Sequence, residues 1–142
     1  TNNQQPSTIA LHDLRILLVE DNKLNVLVAQ EELIDAIPGV RVEVAANGQV
    51  ALDMLRVSDY DLILMDVQMP VMDGYEATRA IRSLPNGKSR LPILAMTANV
   101  MKAEVQQCMD AGMDGFVPKP FKQEELVEAI RKVVAPGREI EH

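Results

Sequence analysis

No tryptophan occurs in this chain of 142 residues, and tyrosine and phenylalanine number only two each. The interior therefore has to be aliphatic, and the 47% apolar content supplies enough Leu, Ile, Val, Ala and Met to build it. Cysteine is represented by Cys108 alone, so no internal disulfide can form, as suits a reducing compartment. The two histidines, His12 and His142, stand near opposite ends of the chain, which argues against a zinc site of the His/Cys kind. Basic residues are in the minority: 14 Lys and Arg against 21 Asp and Glu leave a net charge of −7. That sign opposes a sequence-independent hold on nucleic acid and contact with an anionic membrane surface. It suits a basic protein partner or a metal cation, and equally a simple acidic solubility. No apolar run reaches membrane-spanning length and the N-terminus lacks a signal-peptide pattern. The expected location is cytoplasmic, with a membrane anchor left open for a parent protein. A chain that starts at Thr1 rather than Met reads as a piece of a longer polypeptide.

What the chain does have is alternation. After a polar, pattern-free linker at residues 1–13, short apolar runs alternate with stretches of helical period, up to a C-terminal tail at 135–142. A length of this order suits one domain, placed at 14–134. Strands are expected at 15–20, 40–45, 60–66, 91–97 and 115–119, and helices at 23–37, 48–57, 75–84, 100–111 and 122–134. Pro38-Gly39 ends the first helix, Gly112 caps the fourth, and Asp114-Gly115 turns into the last strand. Asn47-Gly48 has the composition of a hairpin turn, but the spacing of Val50, Ala51, Leu52 and Leu55 after it is helical, so it reads as a strand-to-helix junction. Five strands alternating with five helices imply an α/β domain: a doubly wound five-stranded parallel sheet, order 2-1-3-4-5, flavodoxin-like (βα)5. With so few aromatics, a flavin-stacking electron carrier on that fold is a poor reading.

In such a sheet, ligands bind beyond the carboxyl ends of the strands. The first strand ends in Glu20-Asp21, the third in Asp66, the fourth in Thr97 and the fifth in Lys119. The apolar run 62–65 thus aims a carboxylate at the rim of the sheet. Three carboxylates in one pocket repel one another, and a hard divalent cation with oxygen ligands, Mg²⁺ or Mn²⁺, removes the conflict. Asp66 is then placed to attack phosphorus and form an aspartyl phosphate. Lys119 and the metal offset charge on the transferring oxygens, and Thr97 gives a hydroxyl to one of them. Singly, each residue has an ordinary explanation: Asp21 as a helix N-cap, Thr97 as a structural strand end, Lys119 as a solvated surface lysine. The ordered combination is far more specific than any member.

The segments LLVEDNKLN (17–25), LILMDVQMPVMDG (62–74), LAMTAN (94–99) and GFVPKPF (115–121) together resemble the receiver domain of two-component response regulators. The resemblance covers about residues 14 to 134, and its wording is most like receivers fused to hybrid sensor histidine kinases. It implies a phosphorelay: Asp66 takes a phosphoryl group from a phosphohistidine on a histidine kinase core and passes it to a histidine phosphotransfer domain, or switches conformation. A stand-alone or transcription-factor receiver is the other setting. The short tail APGREIEH favours the relay. The resemblance further implies that Glu20, Asp21, Asp66 and the backbone carbonyl of Gln68 hold Mg²⁺. It makes Thr97 and Phe116 a switch pair, and gives Gln68 and Asn99 influence over a slow self-catalysed loss of phosphate. It also makes Lys119-Pro120 a candidate cis bond. Gly74 is expected to allow close chain approach or a positive φ, and Pro70 to fix its loop. Met69, Val71 and Met72 read either as core or, with Leu24, as a docking surface.

Two other phosphate chemistries fit less well. A haloacid-dehalogenase-like phosphatase also uses a strand-end Asp with Mg²⁺, but it needs a second Asp where Gln68 stands. Gly87-Lys88-Ser89 mimics the end of a phosphate-binding loop, yet Arg82 occupies the position of the leading glycine and the segment follows a helix. An interaction module with a degenerate pocket is disfavoured because every expected polar position is filled.

Overall fold

The structure is a computed structural model that describes residues 11–69, 71–120 and 122–140, with the backbone alone for residues 135–140. Pro70, most of the expected N-terminal linker and the last two residues of the expected tail lie outside the described residues.

Five parallel strands, β1 (Arg15–Val19), β2 (Arg41–Ala45), β3 (Leu62–Asp66), β4 (Ile93–Thr97) and β5 (Gly115–Pro118), form one sheet in the order β2-β1-β3-β4-β5. This is the expected doubly wound order. The helices are α1 (Lys23–Ala36), α2 (Gly48–Val57), α3 (Gly74–Ile81), α4 (Lys102–Ala111) and α5 (Gln123–Ile140). Alternate strand residues enter two cores, because side chains of a strand point to opposite faces in turn. Leu17, Val19, Ile63, Met65 and Ala95 pack against α2, α3 and α4. Ile16, Leu18, Leu64, Leu94 and Met96 pack against α1 and α5. Every residue of β3 and β4 is buried, as expected of strands covered on both faces.

Local chemistry sets the element ends. Asn47 caps α2 by accepting from the Val50 amide at 3.0 Å, so Asn47-Gly48 is a strand-to-helix junction. Gly112 closes α4 at φ 108°, in the left-handed region. Pro92 has no amide hydrogen, and the β4 ladder begins at Ile93 rather than at 91. Helix α3 stops at Ile81, short of the expected 84, where Arg82 turns its guanidinium onto the carbonyls of Gly112, Ser89 and Leu91 and onto Asp114. Helix α5 continues to Ile140, past residue 134 where its apolar periodicity ends.

The Gly87-Lys88-Ser89 segment serves the fold. Gly87 adopts φ 80° and a short 3₁₀ turn follows at Lys88–Arg90. The Lys88 ammonium reaches the carbonyls of Leu55 and Ser58 at the end of α2, where a cation complements the helix dipole.

Candidate functional site

The carboxyl edge of the sheet opens into a cleft of about 270 Å³ lined by Glu20, Asp21, Asn22, Asn25, Asp66, Val67, Gln68, Thr97, Ala98, Asn99 and Lys119. Four strand ends supply it, as the alternation of elements predicts. Glu20 follows β1, Asp66 and Thr97 are the last residues of β3 and β4, and Lys119 follows β5. The β2 end contributes no lining residue. That strand sits at the edge of the sheet, away from the point where the strand order reverses.

One oxygen from each of Glu20, Asp21 and Asp66 lies within 4.8 Å of the other two. Glu20 and Asp66 are buried, at 2% and 5% exposure, whereas Asp21 is open to solvent. Asp21 does not cap α1. Asn22 does, accepting from the Asn25 amide at 3.0 Å, and this leaves the Asp21 carboxylate free of the helix end.

Lys119 answers part of the negative charge. Its ammonium lies 3.0 Å from Glu20 Oε1 and 3.2 Å from Asp66 Oδ1. Burial works against that ammonium, but its hydrogen bond to Glu20 and the charges of both acids outweigh it and hold the pKa above its ordinary value. Asp66 is shifted the other way for a carboxyl. Burial, then repulsion from Glu20, push it up to about 6, although Lys119 and the Gln68 amide pull down. The Gln68 amide donates to Asp66 Oδ1 at 3.2 Å, so both Gln68 and Lys119 grip the same oxygen. Asp66 Oδ2 takes no donor among the described residues.

Thr97 is buried and turned onto its own loop. Its Oγ1 accepts from the Asn99 amide and donates to the Asn99 carbonyl, each at 3.0 Å. Phe116 is outside the cleft, half-buried against the core that packs α2, α3 and α4. The Lys119-Pro120 bond is cis. Gly74 serves close approach rather than positive φ: a Cβ there would stand 2.4 Å from the Asp66 carbonyl oxygen and 2.8 Å from Val67 Cα. Met69, Val71 and Met72 of the β3–α3 loop and Leu24, in the first turn of α1, divide. Met69 and Met72 pack on the core, while Leu24 and Val71 are 69% and 82% exposed, Val71 with φ 70°.

Asn22 and Asn25 are the lining residues whose part the sequence reading missed. Asn22 gives its backbone amide to Glu20 Oε2 at 3.1 Å, and Asn25 Nδ2 approaches the same oxygen at 3.5 Å. The signal available was an Asn-x-x-Asn spacing directly after the acidic pair.

The donor set consists of hard oxygens, and among the described residues the three carboxylates face a single ammonium. That chemistry fits a small divalent cation with several waters and no soft ligand. Comparison with known proteins agrees. Residues 16–131 match the family model for the response regulator receiver domain. The chain is 42% identical over 141 residues to probable histidine kinase 4 of Oryza sativa subsp. japonica, covering 85% of this chain but 14% of that kinase. It is 44% identical over 115 residues to the two-component response regulator ORR41 of the same rice, covering 80% of this chain and 88% of that protein. Among solved structures it resembles the receiver domain of sensor histidine kinase PA1611 from Pseudomonas aeruginosa PAO1, in which a magnesium ion is coordinated in the active site cleft. The TM-score is 0.77 and the identity 41%, covering 85% of this chain and 97% of that one. The chain belongs to the response regulator receiver domain family.

Proposed function

We propose that this chain is the phosphoacceptor of a phosphorelay, with Asp66 as the acceptor. The observation that carries the reading is the convergence of Asp66 with Glu20, Asp21, Thr97 and Lys119 in one cleft at the carboxyl edge of the sheet. Glu20, Asp21, Asp66 and the Gln68 carbonyl would hold Mg²⁺. The bound ion would neutralise both the crowded acids and the oxygens of an incoming phosphoryl group.

The protein's own part is orientation. The Gln68 amide and Lys119 hold Asp66 Oδ1, which fixes the plane of the carboxyl group. An oxygen of Asp66 forms a bond to phosphorus while the P–N bond of a partner's phosphohistidine breaks. The imidazole leaves with the electron pair and takes a proton from solvent. Lys119, 3.2 Å from Asp66 Oδ1, would offset charge on the phosphoryl oxygens. Thr97 donates to one of those oxygens after its hydroxyl leaves the Asn99 carbonyl. That exchange gives the phosphorylated state a contact the resting state lacks, which is what a shift between two conformations requires. Phe116, packed nearby on the same side of the sheet as α4, repacks as Thr97 moves.

The histidine kinases among its relatives support a histidine kinase core as donor, and a histidine phosphotransfer domain is the recipient we propose. No helix among the described residues is long and apolar enough to cross a membrane. The test is intact-protein mass spectrometry after treatment with acetyl phosphate and MgCl₂, with the modified residue mapped by peptide sequencing. One phosphoryl group on Asp66, absent from Asp66→Asn, is the expected result. Undiminished labelling of that variant overturns the assignment.

A further inference from the structure

Helix α1 starts with an incomplete capping arrangement, and the missing part is supplied by a pocket carboxylate. In the complete arrangement, the side chain at the third helical position reaches back to the amide of the N-cap residue. Helix α3 shows it: Asp73 accepts from the Glu76 amide at 2.9 Å, and the Asp73 amide donates to Glu76 Oε1 at 3.3 Å. In α1 the N-cap is Asn22 and the third position is Asn25. The Asn25 amide binds Asn22 Oδ1, so the first half of the arrangement is present. The second half is not, because the Asn22 amide donates to Glu20 Oε2 at 3.1 Å. An asparagine is one methylene shorter than glutamine or glutamate, the residues that complete the arrangement. Its own Nδ2 approaches the same Glu20 oxygen instead, at 3.5 Å.

Glu20 needs this help. It is buried, it leaves β1 by a flexible side chain, and burying such a carboxylate without donors is costly. Lys119 holds Oε1, and the start of α1 holds Oε2. Both oxygens are thereby fixed relative to Asp66.

We infer that Asn25 is a positioning residue of the cation site, leaving the Asn22 amide to Glu20 and donating to the same carboxylate, so that Glu20 is held facing Asp66. This inference rests on the proposed divalent-cation site. It assigns Asn25 no contact with the ion.

The test is a pair of substitutions read by Mg²⁺ titration in ¹H–¹⁵N NMR spectra, with thermal unfolding in EDTA as the control for folding. Asn25→Ala removes one donor from Glu20. Asn25→Gln, neutral and longer, completes the capping arrangement and takes the Asn22 amide from Glu20. Each is expected to raise the Mg²⁺ dissociation constant by about tenfold, the low end of what removing a supporting contact around a metal site costs. The Gln variant does so with an unfolding temperature in EDTA within a few degrees of the wild type, because the completed cap offsets the donors lost by Glu20. A helix-surface role alone would leave its affinity untouched. Dissociation constants within about twofold of the wild type in both variants overturn the inference while leaving the cation site standing. A wild-type chain with no magnesium-dependent shifts overturns both.

Discussion

The Lys119 ammonium lies 3.2 Å from Asp66 Oδ1, so the acid at the end of β3 already has a cationic neighbour from the end of β5. The same ammonium is 3.0 Å from Glu20, and among the described residues it is the only ammonium or guanidinium lining the cleft. Lys119→Ala therefore leaves two buried carboxylates facing each other without a counterion. The metal-free chain is expected to lose about 2–3 kcal/mol of stability, less than the roughly 3–5 kcal/mol that removing one member of a fully buried pair costs, because Lys119 is partly exposed and screened by solvent. Mg²⁺ should restore much of that loss, because it neutralises the same acids. Phosphorylation by acetyl phosphate should fall steeply while Mg²⁺ affinity does not. Urea unfolding with and without MgCl₂, together with a phosphorylation time course, checks all three. A tenfold drop in Mg²⁺ affinity beside normal phosphorylation contradicts the role given to Lys119.

Asp66 sets a pH dependence with a definite sign. Burial and Glu20 raise its pKa from 3.8 to about 6 in the folded chain. Between those values the folded state holds a proton that the unfolded state has released, so stability falls as pH rises. The contribution is fully present below about 3.8 and is lost as pH passes through about 6. Asp66→Asn removes the titration. In EDTA at pH 7.5 the variant is expected to be more stable than the wild type by about 1 kcal/mol once screening by solvent is allowed for, a gain of roughly 2–5 °C in unfolding temperature. Near pH 4 the difference should vanish. Equal unfolding temperatures at both pH values would show that Asp66 pays no burial penalty. The same proton competes with a cation, so Mg²⁺ binding should strengthen as pH rises through about 6.

The strands and the polar residues at their ends were legible because both follow from simple patterns. Leu62 to Met65 are apolar on both sides of a strand, and only a strand covered on both faces can bury them all. Polar residues after such runs have to emerge at the carboxyl edge, where Glu20, Asp66, Thr97 and Lys119 are found. What was not legible depends on contacts between segments distant in sequence. Lys88 reads as a lysine in a loop, because Arg82 breaks the phosphate-loop pattern, and nothing in the sequence says that the carbonyls of Leu55 and Ser58 receive its ammonium. Arg82 ends α3 because the carbonyl of Gly112, thirty residues on, lies within its reach. At α1, Asp21 and Asn22 are equally good caps by composition. Only the fold decides that Asn22 caps and Asp21 faces solvent. The sequence leaves Met69 and Met72 open between core and surface, and the packing of the β3–α3 loop puts both on the core.

Asp21 gives a prediction that separates binding from folding. It is exposed, and it makes no hydrogen bond or ion pair among those described. Its charge serves nothing in the metal-free chain except repulsion of Glu20 and Asp66. Asp21→Ala should therefore weaken Mg²⁺ binding by about tenfold or more, since a charged oxygen ligand is lost. In EDTA the unfolding temperature should stay the same or rise by a degree or two, as expected of an exposed position. Calorimetric Mg²⁺ titration beside thermal unfolding in EDTA gives both numbers. An unchanged Mg²⁺ affinity removes Asp21 from the site.

Gly74 tests how tightly β3, which ends in the proposed acceptor Asp66, is held by the helix that follows it. Its amide donates to the Val67 carbonyl at 3.2 Å, and the first turn of α3 lies directly against the end of β3. A methyl group at this position would meet the Asp66 carbonyl oxygen at 2.4 Å, Val67 Cα at 2.8 Å and the Asp66 carbonyl carbon at 3.1 Å. All three are backbone atoms of the segment that carries the acceptor, so no side chain can swing aside to make room. Gly74→Ala gains a little intrinsic helix propensity, at most about 1 kcal/mol. Overpacking against backbone costs more, about 1–3 kcal/mol, and the net effect is destabilising. Relief has to come from a shift of α3 or of the Asp66–Val67 peptide. Either shift moves the Gln68 amide that now holds Asp66 Oδ1. The variant is thus expected to lose phosphorylation rate more than its stability loss explains, under conditions where it is still fully folded. Circular dichroism melts and acetyl phosphate labelling at a temperature well below the transition check this. A variant that labels at the wild-type rate would show that the acceptor does not depend on the close approach of α3.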